Sequence, residues 1–71
     1  MRIIDSLGKK CPQPILDLAA ALKEFEDDEQ FTLHSDDIAT WHDLSAWSRM
    51  TGHLVTRLDQ RTFHIQRRRE I

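Results

Sequence analysis

Apolar residues recur along the chain with two different periods, and the points where the period changes mark out six predicted elements. Arg2 to Ser6 is a short β-branched run suited to a first strand. Leu7-Gly8-Lys9-Lys10 follows as a loop in which Gly8 is free to take backbone angles closed to other residues. From Pro12 to Phe25 the period is helical, with Ile15, Leu18, Ala19, Leu22 and Phe25 forming one apolar stripe. Proline suits a first turn, whose amides have no partner inside the helix, and this register puts Cys11 at the N-cap. The acidic stretch Glu24 to Glu29 closes the helix. Gln30 to Ser35 then reads as a second strand, with Phe31 and Leu33 on one face and Thr32 and His34 on the other.

Asp36 and Asp37 are cap candidates for a second helix from about Ile38 to Met50, which carries Ile38, Trp41, Leu44, Ala46, Trp47 and Met50 and stops at Gly52. Beyond it, Leu54, Thr56 and Leu58 alternate with His53, Val55 and Arg57. Asp59-Gln60-Arg61 offers a turn, and Phe63 and Ile65 alternate with His64 and Gln66, completing a terminal hairpin. The order is βαβαββ. It predicts an α/β fold, a two-layer sandwich with two helices on one face of a four-stranded mixed sheet, joined first by a right-handed parallel crossover. The expected core is Leu18, Leu22, Phe31, Leu33, Leu44, Trp47, Leu54, Phe63 and Ile65. His34, His53, Arg57 and His64 are candidates for the uncovered sheet face.

A chain of 71 residues gives one domain, residues 1–71, whose core is too small to enclose a large cofactor. No cofactor is expected, and any chemistry belongs at the surface. No apolar run is long enough to span a bilayer, and Met1-Arg2-Ile3-Ile4-Asp5 lacks the apolar stretch of a signal peptide. A cytoplasmic protein without a membrane partner is the expectation. The single cysteine cannot pair within the chain, and the four histidines are too widely spaced to suggest a zinc site. Net charge is −2, with eight of the twelve acids between Glu24 and Asp43 and six arginines from Leu44 onward. That balance does not suggest a dedicated nucleic-acid binder.

Chemistry concentrates in Cys11-Pro12-Gln13-Pro14. Unpaired amides and the positive end of a helix dipole stabilise a thiolate, and Lys9 and Lys10 add positive charge. The sequence therefore predicts an exposed thiol more acidic than a free cysteine, on a turn that Pro12 and Pro14 hold stiff.

The spacing of Asp5, Gly8 and Cys11-Pro12-x-Pro14, then Ser35-Asp36-Asp37 before a second helix and Thr51-Gly52-His53 before a hairpin, resembles the TusA/SirA-like sulfur-carrier family. The resemblance spans nearly the whole chain. It implies the same βαβαββ sandwich and a function of carrying sulfane sulfur as a persulfide on Cys11. The sulfur would come from a donor such as a cysteine desulfurase or a rhodanese and pass to an acceptor protein. Family members of this kind serve tRNA thiolation, sulfur oxidation or cofactor assembly. By resemblance Cys11 is the sulfur-bearing residue and Pro12 and Pro14 shape its helix start; from the residues themselves Gly8 also shapes the turn, and Lys9, Lys10 and Gln13 beside it are docking candidates. Many relatives have Gly-Leu-x-Cys where this chain has Gly8-Lys9-Lys10-Cys11, and Glu where it has Gln13; both changes make the site more positive. Many also carry a second cysteine where Ser48 stands, which removes a resolving thiol here.

The remaining features have plainer readings. Trp41 and Trp47 fit core packing better than base stacking, Asp36 and Asp37 fit helix capping, and Arg67-Arg68-Arg69 fits a solvated strand end. His53 is expected at a strand start away from Cys11 rather than as a proton shuttle. Two other functions fit the same fold: a thiol redox sensor that uses Cys11, and a regulatory module that binds protein through the open sheet face and for which Cys11 is incidental.

Overall fold

The computed structural model describes residues 2–68. Its elements are β1 (Arg2–Asp5), α1 (Gln13–Glu24), β2 (Gln30–His34), α2 (Thr40–Thr51), β3 (Leu54–Asp59) and β4 (Thr62–Gln66). The strands form one sheet in the order β1-β2-β4-β3. β1 and β2 are parallel, while β4 runs antiparallel to both β2 and β3. β3 therefore runs parallel to β2 with β4 inserted between them. The predicted α/β arrangement of two helices and a four-stranded mixed sheet is the one observed.

Strand pairing fixes which residues meet the helices, because side chains alternate faces with period two. Phe31 pairs with Ile65, which pairs with Val55; Leu33 pairs with Phe63, which pairs with Arg57. Phe31, Leu33, Phe63 and Ile65 are buried and join Leu18, Ala21, Leu22 and Leu44 from the helices, with Ile4, Ile15, Phe25, Trp41, Trp47 and Val55 packed partly buried around them.

β3 differs from expectation by one residue of register. Leu54 and Leu58 are 66% and 60% exposed, whereas Val55 packs on the core. Alternation in β3 alone cannot choose between the two faces, since Leu54 and Val55 are both apolar; pairing with β4 decides it. Arg57 consequently leaves the open face and lies with its guanidinium carbon 6.0 Å from the ring centroids of both Trp41 and Phe63. His34 and His64 do sit on the face turned from the helices, in register with Thr62 and Thr32 respectively.

The helices also differ in detail. On α1 the buried alanine is Ala21, and Ala19 is exposed. On α2, Ile38 precedes the helix and is 99% exposed, because Asp37 turns the chain there: its Oδ1 accepts the Ala39 amide and its carbonyl accepts the Thr40 amide. Met50 faces outward at 85% exposure. Gly52 ends α2 with φ of 84°, where a side chain would be strained and would also meet Arg68. No helix among the described residues is long and apolar enough to cross a membrane.

Candidate functional site

The segment from Ser6 to Pro12 crosses from β1 to α1 and is fastened on two sides. On one side, Ser6 is buried; its amide bonds the His34 carbonyl at 2.8 Å and its hydroxyl donates to Asp17 Oδ2 at 2.7 Å. Lys9 Nζ reaches the same Asp17 oxygen at 3.0 Å, and Gln13 Nε2 donates to Asp17 Oδ1 at 2.8 Å. On the other side stands the loop after β2. Gly8 donates its amide to Asp36 Oδ1 at 2.9 Å and Cys11 donates its amide to Asp37 Oδ2 at 3.0 Å. Gly8 has φ of 79° and open space around the position of a Cβ, so the backbone angle rather than crowding calls for glycine.

Pro12 is the N-cap residue of α1, Pro14 lies buried in its first turn, and the Cys11–Pro12 peptide is cis. Cys11, expected at the N-cap, thus sits one residue before the observed cap. Its side chain is half-buried, with Sγ 3.4 Å from Thr40 Oγ1, which in turn lies 2.7 Å from Ser35 Oγ.

The electrostatics of the thiol run against the sequence expectation. Burial pushes the Cys11 thiol up from its ordinary value, opposed by the Thr40 hydrogen bond and reinforced by a hydrogen bond to Asp43 and the negative charges of Asp37 and Asp43. Of the lysines expected to offset this, Lys9 is paired with Asp17 and Lys10 is exposed. Hydrogen bonds from the Ala39 and Cys11 amides hold Asp37 itself below the usual carboxylate range. In the free protein the surroundings of Cys11 therefore favour the thiol over the thiolate, on a braced turn.

Asp36 and Asp37 were expected as helix caps. Neither is the N-cap, which is Ala39 without a side-chain capping bond; Asp37 turns the chain toward α2 through the Ala39 amide, Asp36 bonds Gly8 instead, and both hold the cysteine loop. Asp17, Thr40 and Asp43 went unnoticed in the sequence. Asp17 stands four residues after Gln13, one helical turn along α1, and that spacing was the available signal.

Other expected features lie apart from the cysteine. Trp41 stacks on Phe63 with centroids 6.1 Å apart, and Trp47 lies 5.1 Å from His53. His53 is on the helix side rather than the open sheet face, and its Nδ1 accepts the Arg68 amide at 2.9 Å. Ser48 donates its hydroxyl to the His53 carbonyl. Arg67 is not a solvated strand end: its guanidinium donates to the carbonyls of Leu22, Phe25 and Asp28. Arg69 falls outside the described residues. Among the described residues no group of three His, Cys, Asp or Glu side chains is placed to hold a metal ion.

Comparison with known proteins places this geometry in a family. Residues 2–67 match the family model described as "Sulfurtransferase TusA". The chain is 35% identical over 52 residues to the "Putative sulfur carrier protein YrkI" of Bacillus subtilis (strain 168), covering 73% of this chain and 69% of that one. It is 33% identical over 51 residues to the "Putative sulfur carrier protein YrkF" of the same organism, covering 72% of this chain but 28% of that longer protein. A "Putative sulfur carrier protein" of Archaeoglobus fulgidus is 30% identical over 53 residues, covering 75% of this chain and 73% of its own. With its fold, its single cysteine on a braced turn and a family match running almost end to end, the chain belongs to the TusA sulfurtransferase family.

Proposed function

We propose that this protein is a sulfur relay in which Cys11 accepts sulfane sulfur as a persulfide from a donor protein, such as a cysteine desulfurase or a rhodanese, and yields it to an acceptor protein. One observation carries the reading. The single thiol is half-buried on a turn fastened through Gly8, Lys9, Cys11 and Gln13, so its sulfur is both accessible and fixed in direction. A carrier needs that combination, because the sulfur must enter another protein's site without a cavity of its own. Pro12, Pro14 and Gly8 shape the turn, and Lys9, Lys10 and Gln13 border it. The family match and the relatives' names support the carrier role.

Loading is a thiol exchange. The Cys11 thiolate attacks the terminal sulfur of the donor's persulfide, a bond forms between Cys11 Sγ and that sulfur, and the donor's S–S bond breaks to release the donor thiolate. Residues of this chain supply the nucleophile and its orientation. Delivery to tRNA thiolation is one destination compatible with this chemistry, and other sulfur-using pathways are equally so.

The test is intact-mass spectrometry after incubation with a cysteine desulfurase plus cysteine, and separately with a rhodanese plus thiosulfate. Gain of one sulfur atom by the wild type, and none by Cys11→Ser, is the expected result. Loading of Cys11→Ser, or failure of both donors to load the wild type, would refute the reading.

A further inference from the structure

Resting on the assignment of Cys11 as the sulfur-bearing residue, the next question is what holds negative charge on its sulfur. Thr40, in the first turn of α2, is fully buried, as is Ser35 just after β2. Two hydroxyls withdrawn from water are costly unless hydrogen-bonded. Their 2.7 Å contact uses one of the pair's two protons. If Ser35 donates to Thr40, the Thr40 proton is left for the atom 3.4 Å away, Cys11 Sγ. We propose that Thr40 is the hydrogen-bond donor that stabilises the Cys11 thiolate, in both halves of the relay.

The chemistry places charge on the same atom twice. In loading, Cys11 first loses its proton to solvent, and Sγ attacks as a thiolate. The terminal sulfur arrives with its own proton, and the departing donor thiolate takes up one from solvent, so protons balance. In unloading, a nucleophilic thiolate of the acceptor bonds to the terminal sulfur, the Sγ–S bond breaks, and its electron pair leaves on Sγ. A donor fixed on Sγ therefore assists attack in one direction and departure in the other, without reorganising between them. The other surroundings of the sulfur oppose its charge. Asp37 from the loop before α2 and Asp43 from α2 both disfavour the thiolate, as does burial, and Thr40 acts against them. Of the two nearby lysines, Lys9 bonds Asp17, and Lys10 is exposed.

Thr40→Val removes the hydroxyl while keeping the branched shape, and Thr40→Ser restores it. The primary measurement is the rate of Cys11 alkylation by iodoacetamide against pH, beside single-turnover transfer from a persulfide-loaded rhodanese. Thr40→Val should move the alkylation midpoint upward. It should slow alkylation at neutral pH about threefold, a loss of roughly tenfold in thiolate partly offset by its greater nucleophilicity. Thr40→Ser should recover most of both, and transfer should slow in parallel. Ser35→Ala, which leaves the Thr40 hydroxyl unanchored, should shift the midpoint in the same direction by less, and it decides the matter should the valine variant not fold. An unchanged midpoint in folded Thr40→Val, or in Ser35→Ala if the former is unfolded, overturns the proposal, as does failure of serine to restore. Alkylation needs no sulfur donor, so a wild type that alkylates but never loads sulfur would refute the relay reading separately.

Discussion

Asp37 grips Cys11 and Ala39 with the two oxygens of one carboxylate, Oδ2 on the Cys11 amide at 3.0 Å and Oδ1 on the Ala39 amide at 2.8 Å. The residue that starts α2 thereby also positions the turn before α1. An amide cannot replace it, since one of its two ends donates where both amides need an acceptor. Asp37→Asn should therefore leave α2 formed but free either Cys11 or Ala39. The measurement is amide hydrogen exchange, with faster exchange expected at Cys11 or Ala39 and unchanged protection through Leu44 to Ser48. Equal protection of both amides in the variant would show that the carboxylate does not anchor the loop.

The β3 register makes a paired prediction about stability. Leu44 is fully buried, and Leu44→Ala should cost about 2–5 kcal/mol through lost contacts and a residual cavity. Leu54, turned to the open face, should tolerate alanine within about 0.5 kcal/mol. Urea denaturation midpoints check both. A Leu54→Ala loss as large as that of Leu44→Ala would restore the register in which Leu54 faces the helices.

The fold separates information that was local in the sequence from information that was not. Phe31 and Leu33 were legible because Gln30, Thr32 and His34 beside them are polar, and Leu18 and Leu22 by their helical spacing, whereas the alanines between them offered no contrast to separate Ala21 from Ala19. β3 offered no such contrast, since Leu54 and Val55 are both apolar and only pairing with Ile65 chooses between them. Arg67 looked like part of a basic tail, yet it binds the carbonyls at the end of α1 and the turn after it, with its guanidinium carbon 5.5 Å from the Phe31 ring centroid. At the site, Cys11 and its prolines were readable from four residues. The reversal of its expected acidity was not, because Asp37 and Asp43 are separated from Cys11 by more than twenty residues and meet it only through the fold.

His53 sets a pH dependence of opposite character to that of a salt-bridged histidine. Burial, then Arg67 and Arg68, hold its ring below the ordinary value of 6.5, and the neutral ring accepts the Arg68 amide. The unfolded chain therefore binds a proton more readily than the folded one. Stability from this group is complete above pH 6.5 and falls as pH drops through that value and the lower folded one. Asp17, Asp37 and Asp59, also held below their ordinary 3.8, add losses only at still lower pH. In urea titrations the wild-type midpoint should fall on moving from pH 7.5 to 5.5, and His53→Gln should flatten that segment of the curve. A variant curve parallel to the wild type's would assign the dependence to another group.

The two lysines beside Cys11, alike in sequence, should separate when reversed. Lys9 is bound to Asp17, the carboxylate that also holds Ser6 and Gln13, so Lys9→Glu sets two negative charges together and loosens the turn itself. Its effect should appear in both structure and transfer and should persist at high salt. Lys10 is exposed beside the rim of the loop, where a charge acts mainly on encounter with a partner. Against a donor with an acidic docking surface, Lys10→Glu should slow sulfur loading at low ionic strength by roughly tenfold, and the difference from wild type should shrink as salt screens the surfaces over about 10 Å or less. The measurement is the second-order rate of labelled-sulfur transfer at several salt concentrations, with the amide spectrum of each variant as a check on the fold. A Lys10→Glu effect that does not decline with salt would place Lys10 in the transfer geometry instead of in docking, whereas no effect at any salt would remove it from the interface.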